Sequence, residues 1–279
     1  MRLSLFAIAA LAPLAIVAAA SSARADDDNN DWVDRPLALE KFHAKFEAGL
    51  GFGQASTATG QQIGTGMNLE GAVGLPFLGE VSLRSGYRFG SSGANAQADY
   101  YGRMFDHETA LAPGVAGTQA FANPEIALRS AMVDLKVFAI GFETRLTLPI
   151  ADNTVVSVSP GLPIRIRIPG LMRIDTGVFV PVGDSNNVEY TISVPVAAWF
   201  QVHDAFFGPM SGVRFNHLDV SVGDLGGTAN RTDVTAGFGG GYTLGGMLDI
   251  KAQVYTQRIN DASWSDYLGG GVGVALLIP

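Results

Sequence analysis

The clearest pattern in the chain is an alternation of apolar and polar residues over Thr232–Ile259. A period of two is the side-chain period of a β-strand, and a pair of glycines separates the two alternating halves. A three-residue turn over Leu244–Gly246 pairs Tyr242 with Leu248, so that each face of the sheet stays chemically uniform. The segment therefore predicts a β-hairpin with Gly246 in the left-handed conformation, which glycine adopts at little cost.

The polar face of this hairpin indicates the surroundings of the sheet. On that face glycines lie opposite Asp249, Lys251 and Gln253, which leaves room for long polar side chains in a wet interior. The apolar face then points to lipid, with Tyr242 as an aromatic residue near the membrane interface. The alternative is a soluble lipocalin-like barrel or sandwich, in which the apolar face points inward. We favour the wall of a transmembrane β-barrel.

The same alternation recurs from Phe42 to Ile278 and predicts about twelve strands, with ten to fourteen compatible with the sequence. Long or polar links follow the odd-numbered strands and mostly short links follow the even-numbered ones, as in a barrel with loops at one end and tight turns at the other. Residues 91–125 are predicted to be a long loop. The predicted fold class is all-β: a single antiparallel up-and-down transmembrane β-barrel over residues 42–279.

Four stretches interrupt the alternation. The fourth and fifth strands are predicted to meet at a tight turn near Ile140-Gly141. Pro160 and Pro163 interrupt the sixth strand, which we interpret as one bulged strand because proline cannot donate to a ladder. Pro195 predicts a further bulge, and Asp224–Asn230 is predicted to be a loop.

The N-terminus predicts export. Arg2, an apolar run and an Ala-x-Ala site ending at Ala25 have the order of a secretory signal peptide, so residues 1–25 are expected to be removed. A retained membrane anchor is the alternative. Residues 26–41 are acidic and lack alternation, and they are predicted to form a mobile periplasmic arm.

Composition narrows the function. The chain has no cysteine, so disulfides are not expected. Its net charge of −8 becomes −10 without Arg2 and Arg24, which argues against a nucleic-acid partner. The aspartates of the arm lack the glycine and spacing of a calcium loop. No metal site and no cofactor are predicted.

The signal sequence, the alternating strands, the short and long links and the strand at the C-terminus together resemble a Gram-negative outer-membrane β-barrel. The resemblance is architectural and covers Phe42–Pro279. It implies a location in the outer membrane, contact with its lipid and insertion by the barrel-assembly machinery. Members usually end in an aromatic residue that this machinery reads, whereas this chain ends in Pro279.

Residues for catalysis are few. The sequence contains four histidines and no Gly-x-Ser-x-Gly elbow. Asp106-His107-Glu108 in the long loop is compatible with an Asp/His protease site or a metal site, but a solvated polar cluster is the simpler interpretation. No enzyme is predicted, and an outer-membrane hydrolase remains an alternative.

Charged residues on the predicted inner faces favour a water-filled lumen, because a dry core holds such groups only if they are almost completely paired. The leading hypothesis is a channel or porin for small hydrophilic solutes. The alternative from another class is a non-conducting structural or surface-interaction barrel. The candidate pore-lining residues are Lys45, Glu47, Glu70, Arg84, Arg88, Lys136, Glu143, Arg145, Arg165, Arg167, Arg173, Asp175, Asp249 and Lys251.

The inner-face charges are unevenly distributed around the predicted ring. Arg165, Arg167 and Arg173 lie on the sixth and seventh strands, opposite a more acidic wall. One hypothesis is a transverse field that favours anions. The alternative is that these arginines pair with Glu143, Asp175 and Glu189 of neighbouring strands and close the lumen.

Overall fold

The computed structural model of the protein describes residues 31–57, 60–76, 79–89, 124–148, 156–185, 188–222, 225–256, 258–262 and 268–279. The predicted signal peptide and all of the predicted long loop except its last two residues lie outside these ranges. A 3-10 helix, Trp32–Asp34, precedes the strands. Among the described residues, no helix is long and apolar enough to cross a membrane.

The described strands form one antiparallel sheet that closes into a barrel. Their bounds are β1 (Ala44–Thr57), β2 (Gly60–Leu75), β3 (Gly79–Phe89), β4 (Glu125–Asp134), β5 (Phe138–Thr147), β6 (Ser157–Ile168), β7 (Met172–Phe179), β8 (Val182–Ser185), β9 (Val188–Val202), β10 (Ala205–Val222), β11 (Leu225–Leu244), β12 (Leu248–Thr256) and β13 (Leu268–Ile278).

The barrel has twelve strand positions, as predicted. Each strand pairs with its neighbours in the chain, and β13 pairs with β1 to close the ring. Both β7 and β8 pair with β6 and β9, so they are two segments of one barrel strand. The ladder is interrupted at Val180-Pro181, where Pro181 has no N–H to donate.

The outer surface carries the apolar residues. Phe46, Leu69 and Leu83 are 56%, 53% and 57% exposed, and similar side chains alternate along most other strands. Such an extensive exposed apolar surface is incompatible with water and is typical of a lipid-facing wall. The prediction that the apolar face points outward is therefore confirmed, and the lipocalin-like alternative is wrong.

The β11–β12 hairpin keeps the predicted faces but not the predicted register. Tyr242 pairs with Ile250 rather than with Leu248, and the turn is Gly245–Met247, one residue later than predicted. Because the partner moves by two residues, the face of every side chain is unchanged. Gly246 has the expected left-handed conformation, with φ at 72°.

The turn between β4 and β5 lies at Leu135–Val137, so the prediction of a turn at Ile140-Gly141 is wrong. Gly141 is inside β5 and pairs with Ala131. A register shift between Ala131 and Val133 marks a bulge in β4. A bulge changes the phase of the alternation, which concealed the first half of this strand in the sequence.

The link between β10 and β11 is much shorter than predicted. Val222 pairs with Leu225, and most of Asp224–Asn230 belongs to β11 rather than to a loop. Glycine and polar residues suit a strand that extends beyond the membrane, where lipid no longer requires apolar side chains on one face.

The prolines have a smaller effect than expected. The sixth strand is continuous through Pro160 and Pro163, as predicted, but its register with both neighbours is constant, so it has no bulge there. Pro195 also lies at a position of constant register, and β9 instead shifts against β10 between His217 and Leu218. Each proline therefore costs a ladder hydrogen bond without changing the strand pairing.

At one end of the barrel every link between neighbouring strands is short, and we call it the turn end. It contains Pro76, Leu135–Val137, Pro169–Leu171, His203-Asp204 and Gly245–Met247, together with the beginning of β1 and the end of β13. In outer-membrane barrels the short turns face the periplasm.

Candidate functional site: the lumen and the segment inside it

The described part of the N-terminal arm, residues 31–41, lies inside the barrel at its turn end, and we call it the lumen segment. Trp32, Val33, Leu37 and Ala38 are at most 9% exposed. Most large apolar residues of the strands face lipid, so these side chains are buried against the few apolar residues that point into the barrel. The expectation of a mobile arm is therefore wrong for these residues.

Trp32 fills an aromatic site on the β7–β10 wall. Its ring stacks on Phe206 at 4.0 Å and meets Trp199 edge-on at 5.3 Å. The guanidinium of Arg173 lies 3.6 Å from the centre of the Trp32 ring, within the range of a cation–π contact. Trp32, Val33, Ala197, Trp199 and Phe206 form a buried apolar cluster inside the barrel.

Gln201 recognises the start of the lumen segment. Its side-chain oxygen accepts a hydrogen bond from the Val33 N–H at 2.9 Å, and its side-chain nitrogen donates to the Asp31 carboxylate at 2.9 Å. Burial, followed by the nearby charges of Asp34 and Asp204, raises the pKa of the Asp31 carboxyl. The charged form of Asp31 therefore opposes docking of the segment at this point.

Three arginines bind the backbone of the lumen segment. Arg165 donates to the carbonyl oxygens of Arg35 and Pro36 at 2.9 and 2.6 Å. Arg167 donates to those of Asp34 and Arg35 at 3.1 and 3.2 Å, and Arg173 donates to that of Trp32 at 2.9 Å. Because the segment here has no ladder of its own, these bonds satisfy its buried carbonyl groups.

Carboxylates of the wall bind the other backbone groups of the segment. The Leu37 N–H donates to Asp134 at 3.1 Å, and the Leu39 N–H donates to Glu80 at 3.0 Å. The chain then leaves the lumen beside Gly74, whose N–H donates to the carbonyl of His43 at 2.8 Å. The segment is thus attached to the wall along its whole described length.

Arg35 crosses the lumen. Its carbonyl is held by arginines of β6, whereas its guanidinium donates two hydrogen bonds to the carboxylate of Asp249 on β12, at 2.5 and 2.9 Å. The β6 and β12 positions are separated by five steps around the ring of twelve, which is close to the maximum. Thr243 donates a further hydrogen bond to Asp249 at 2.9 Å and orients this carboxylate.

A belt of ion pairs of alternating sign covers the wall from β12 through β1 to β5, and we call it the charge belt. Lys251 reaches past β13 to Glu47 at 2.6 Å, and Lys45 lies 2.6 Å from Glu70. Five cations and five carboxylates take part, and most are less than 15% exposed. Followed from each residue to its ion-pair partner, they are Lys251, Glu47, Lys45, Glu70, Arg84, Glu125, Arg145, Glu143, Arg129 and Glu80.

Glycine makes room for this belt. Lys251 lies opposite Gly241 on one neighbouring strand and Gly273 on the other. Its long side chain can therefore lie along the wall and reach Glu47 on β1. The sequence prediction that glycines leave space for long polar side chains is confirmed here.

A cavity of about 510 Å³ separates the lumen segment from the charge belt. It is bordered by the belt on one side, by Pro36 and Leu37 of the segment on the other, and by Met247 and Pro279 at the turn end. Nine acidic and eight basic residues border it, so its wall is strongly polar but almost balanced in charge.

Twelve of the fourteen candidate pore-lining residues have side chains on the inside of the barrel. Lys136 does not: it lies exposed in the turn between β4 and β5, so its assignment was wrong. The side chain of Arg88 lies outside the described residues. Arg165, Arg167 and Arg173 contact the lumen segment, a role that alternation alone could not indicate.

Several residues of the site were not found from the sequence. Glu80 lies on β3, and Glu125 and Arg129 lie at the start of β4, where Glu125 is the last residue of the predicted long loop. Arg35 was assigned to a mobile arm. The available signal for Arg35 was an arginine followed by proline inside an otherwise acidic, partly apolar stretch.

The alternative of arginine pairing is supported by the geometry. Arg165 lies 2.6 Å from Asp175, and Arg173 lies 2.8 Å from the same carboxylate. Glu143 receives hydrogen bonds from both Arg129 and Arg145. The side chain of Glu189 lies outside the described residues.

The catalytic alternatives gain no support. Asp106-His107-Glu108 lies outside the described residues. His217 is on the outer surface, where its ring stacks on Tyr190 at 5.0 Å, and His43 lies 3.7 Å from Glu40 at the turn end. Within the described ranges, no group of three or more His, Cys, Asp or Glu side chains is arranged to hold a metal ion.

Comparison with known proteins agrees with this architecture. No protein-family model and no curated protein matches the sequence. An outer membrane channel from Pseudomonas putida F1 superposes with a TM-score of 0.64 at 8% identity, over 91% of this chain and 100% of that chain. The NanC porin superposes with a TM-score of 0.52 at 7% identity, over 83% and 98%. The protein therefore has the fold of outer-membrane channels and porins, a closed barrel of twelve antiparallel strands.

Proposed function

We propose that the protein is an outer-membrane channel for small hydrophilic solutes. The path of these solutes runs through the space between the lumen segment and the charge belt. The observation that carries this proposal is the polar cavity of about 510 Å³ at the turn end of the barrel. Its volume lies in the range of roughly 300–1,000 Å³ that is common for small-molecule sites. A solute with hydroxyl, amide or charged groups can exchange its hydration for contacts with this wall.

The charge belt gives the path a polar but weakly selective surface. Each cation has a carboxylate neighbour, so the long-range field of the belt is small and its hydrogen-bonding capacity is large. Lys45 and Arg129 are 24% and 23% exposed, more than Glu70 and Glu143 at 7% and 1%. Lys251 is instead less exposed than its partner Glu47, at 6% and 10%, so neither sign dominates the wall and we expect little preference between anions and cations.

Single-channel recording in planar bilayers tests the proposal. We expect small, reproducible conductance steps from barrels that show a heat-dependent shift in gel mobility, the usual sign of a folded barrel. A denatured sample of the same protein is the control. If folded barrels give no conductance and no solute flux in several lipid compositions, the channel proposal fails.

The second candidate is a non-conducting structural barrel, and the lumen segment is the observation that favours it. Residues 31–41 occupy part of the lumen and are bonded to the wall at both ends. Conductance of the unmodified protein separates the two proposals, because a barrel sealed by this segment carries no current until the segment is removed.

A further inference from the structure

We infer that the Arg35–Asp249 ion pair is a crossbar that sets the upper size limit for solutes in the lumen. This inference deepens the proposed function and rests on it. It assigns a specificity-determining role to one side chain of the lumen segment and to one carboxylate on the opposite wall.

The crossbar connects the wall that holds the lumen segment to the wall across the lumen. The backbone carbonyls on both sides of this point are held by Arg165 and Arg167, so the segment lies along β6. The Arg35 side chain then reaches across to Asp249 on β12. Both Arg35 and Asp249 border the cavity, so a solute in the cavity meets this ion pair directly.

Aromatic side chains fill another part of the lumen. Trp32, Trp199 and Phe206 pack together in a buried cluster on the β7–β10 wall. Solutes are thereby confined to the side of the crossbar that faces the charge belt. The distance between Arg35 and that belt limits the width of the path.

The ion pair is rigid enough to act as a limit. A guanidinium bonded to both oxygens of one carboxylate has a fixed plane as well as a fixed position. The carboxylate side chain is 3% exposed and the guanidinium side chain 17% exposed, so water screens the pair weakly. Arg35 also approaches the carbonyl of Gly246 at 3.4 Å, in the turn that precedes β12 and Asp249.

Liposome swelling with neutral sugars of increasing size tests the crossbar without interference from charge. The probes are arabinose, sucrose and raffinose, and the variants are Arg35→Ala, Asp249→Asn and Arg35→Lys. Arg231→Met is the matched control. Arg231 is 45% exposed and lies 3.0 Å from Asp233, and neither residue borders the cavity.

We expect the sucrose and raffinose rates, relative to that of arabinose, to rise severalfold in Arg35→Ala and in Asp249→Asn. Arg35→Lys should give rates between those of the unmodified protein and of Arg35→Ala, since lysine reaches Asp249 but lacks the fixed plane of the guanidinium. Arg231→Met should not differ from the unmodified protein. Protection of residues 31–41 from protease should persist in Asp249→Asn, because the aromatic and arginine contacts of the segment are unchanged.

Two results would overturn the crossbar. One is an unmodified protein that passes arabinose while Arg35→Ala has the same size limit. The other is a raised sucrose rate in Asp249→Asn that occurs only together with loss of protease protection, which would assign the size limit to the segment as a whole. Failure of the proposed function is a separate outcome: the unmodified protein passes no arabinose although a general porin does so in the same liposomes.

Discussion

Replacement of Trp32 by alanine should release the lumen segment while leaving the barrel folded. The Trp32 side chain is 7% exposed and contacts Phe206, Trp199 and the guanidinium of Arg173. Truncation of a buried tryptophan to alanine typically costs about 3–5 kcal/mol. Because this side chain belongs to the segment and not to a strand, the cost falls on docking rather than on barrel closure.

The expected effect on the docked population follows from that energy. Each 1.4 kcal/mol changes an equilibrium about tenfold, so a loss of about 3 kcal/mol makes the undocked state roughly 100 times more populated. Hydrogen exchange measures this directly at the amides of Val33, Leu37 and Leu39, whose docked partners are side chains of the wall. Their exchange should accelerate by about two orders of magnitude in Trp32→Ala.

The control for this experiment is Phe207→Ala, which removes a neighbouring aromatic residue from the lipid-facing surface, where Phe207 is 42% exposed. It should leave exchange in the segment unchanged. Unaltered exchange in Trp32→Ala would refute the assignment of the aromatic site as the main anchor. Equal acceleration throughout β1 would show that the segment and the barrel unfold as one unit.

Three further outcomes are expected. Gly74→Ala should reduce the yield of folded barrel, because its Cβ would lie 1.8 Å from the carbonyl oxygen of Glu40, whereas Gly71→Ala, with only the Phe46 ring at 3.7 Å, should fold normally in the same gel-shift assay. Arg145→Met should destabilise the barrel by about 1.5–3 kcal/mol, since it removes a charged partner from both Glu143 and Glu125, and thermal unfolding should show a fall that Lys136→Met, in an exposed turn, does not reproduce. The third concerns pH: because the pKa of Asp31 is raised in the docked state, its contribution to docking is present at low pH and is lost as pH rises above about 3.9 and through the raised value. Protease cleavage within residues 31–41 should therefore become less dependent on pH in Asp31→Asn, and an unchanged pH profile would contradict this reasoning.

The faces of the strands could be predicted because lipid on one side and water on the other impose a period of two. Lys45, Glu70, Arg145 and Lys251 were placed on inner faces for this reason, and the structure has them there. Register and turns were less predictable. The predicted turn between β4 and β5 was several residues too late, because alternation records parity and not the identity of the partner, and it continues through the true turn.

The partners of the inner-face charges could not be read from alternation. Glu47 meets Lys251 only because β13 pairs with both β1 and β12. A glycine of β13 opposite Lys251 leaves room for the lysine side chain to reach β1. Lys136 was misassigned because the alternation of apolar and polar residues continues through Leu135–Val137, although β4 ends at Asp134. Side-chain pairing in a barrel depends on closure and stagger, which are properties of the whole ring.

The sequence by itself determined that this chain forms an all-β barrel with an apolar exterior and a charged interior. Lipid on one face of each strand and water on the other select apolar and polar residues at alternate positions, and this pattern is local. Only the tertiary structure decided what the interior contains. Residues 31–41 have no alternation, and their place in the lumen depends on contacts with residues more than a hundred positions away, such as those of Val33 with Gln201 and of Arg35 with Asp249. Contacts of that kind arise when the ring closes around the segment and brings the groups that bind it to one end of the barrel.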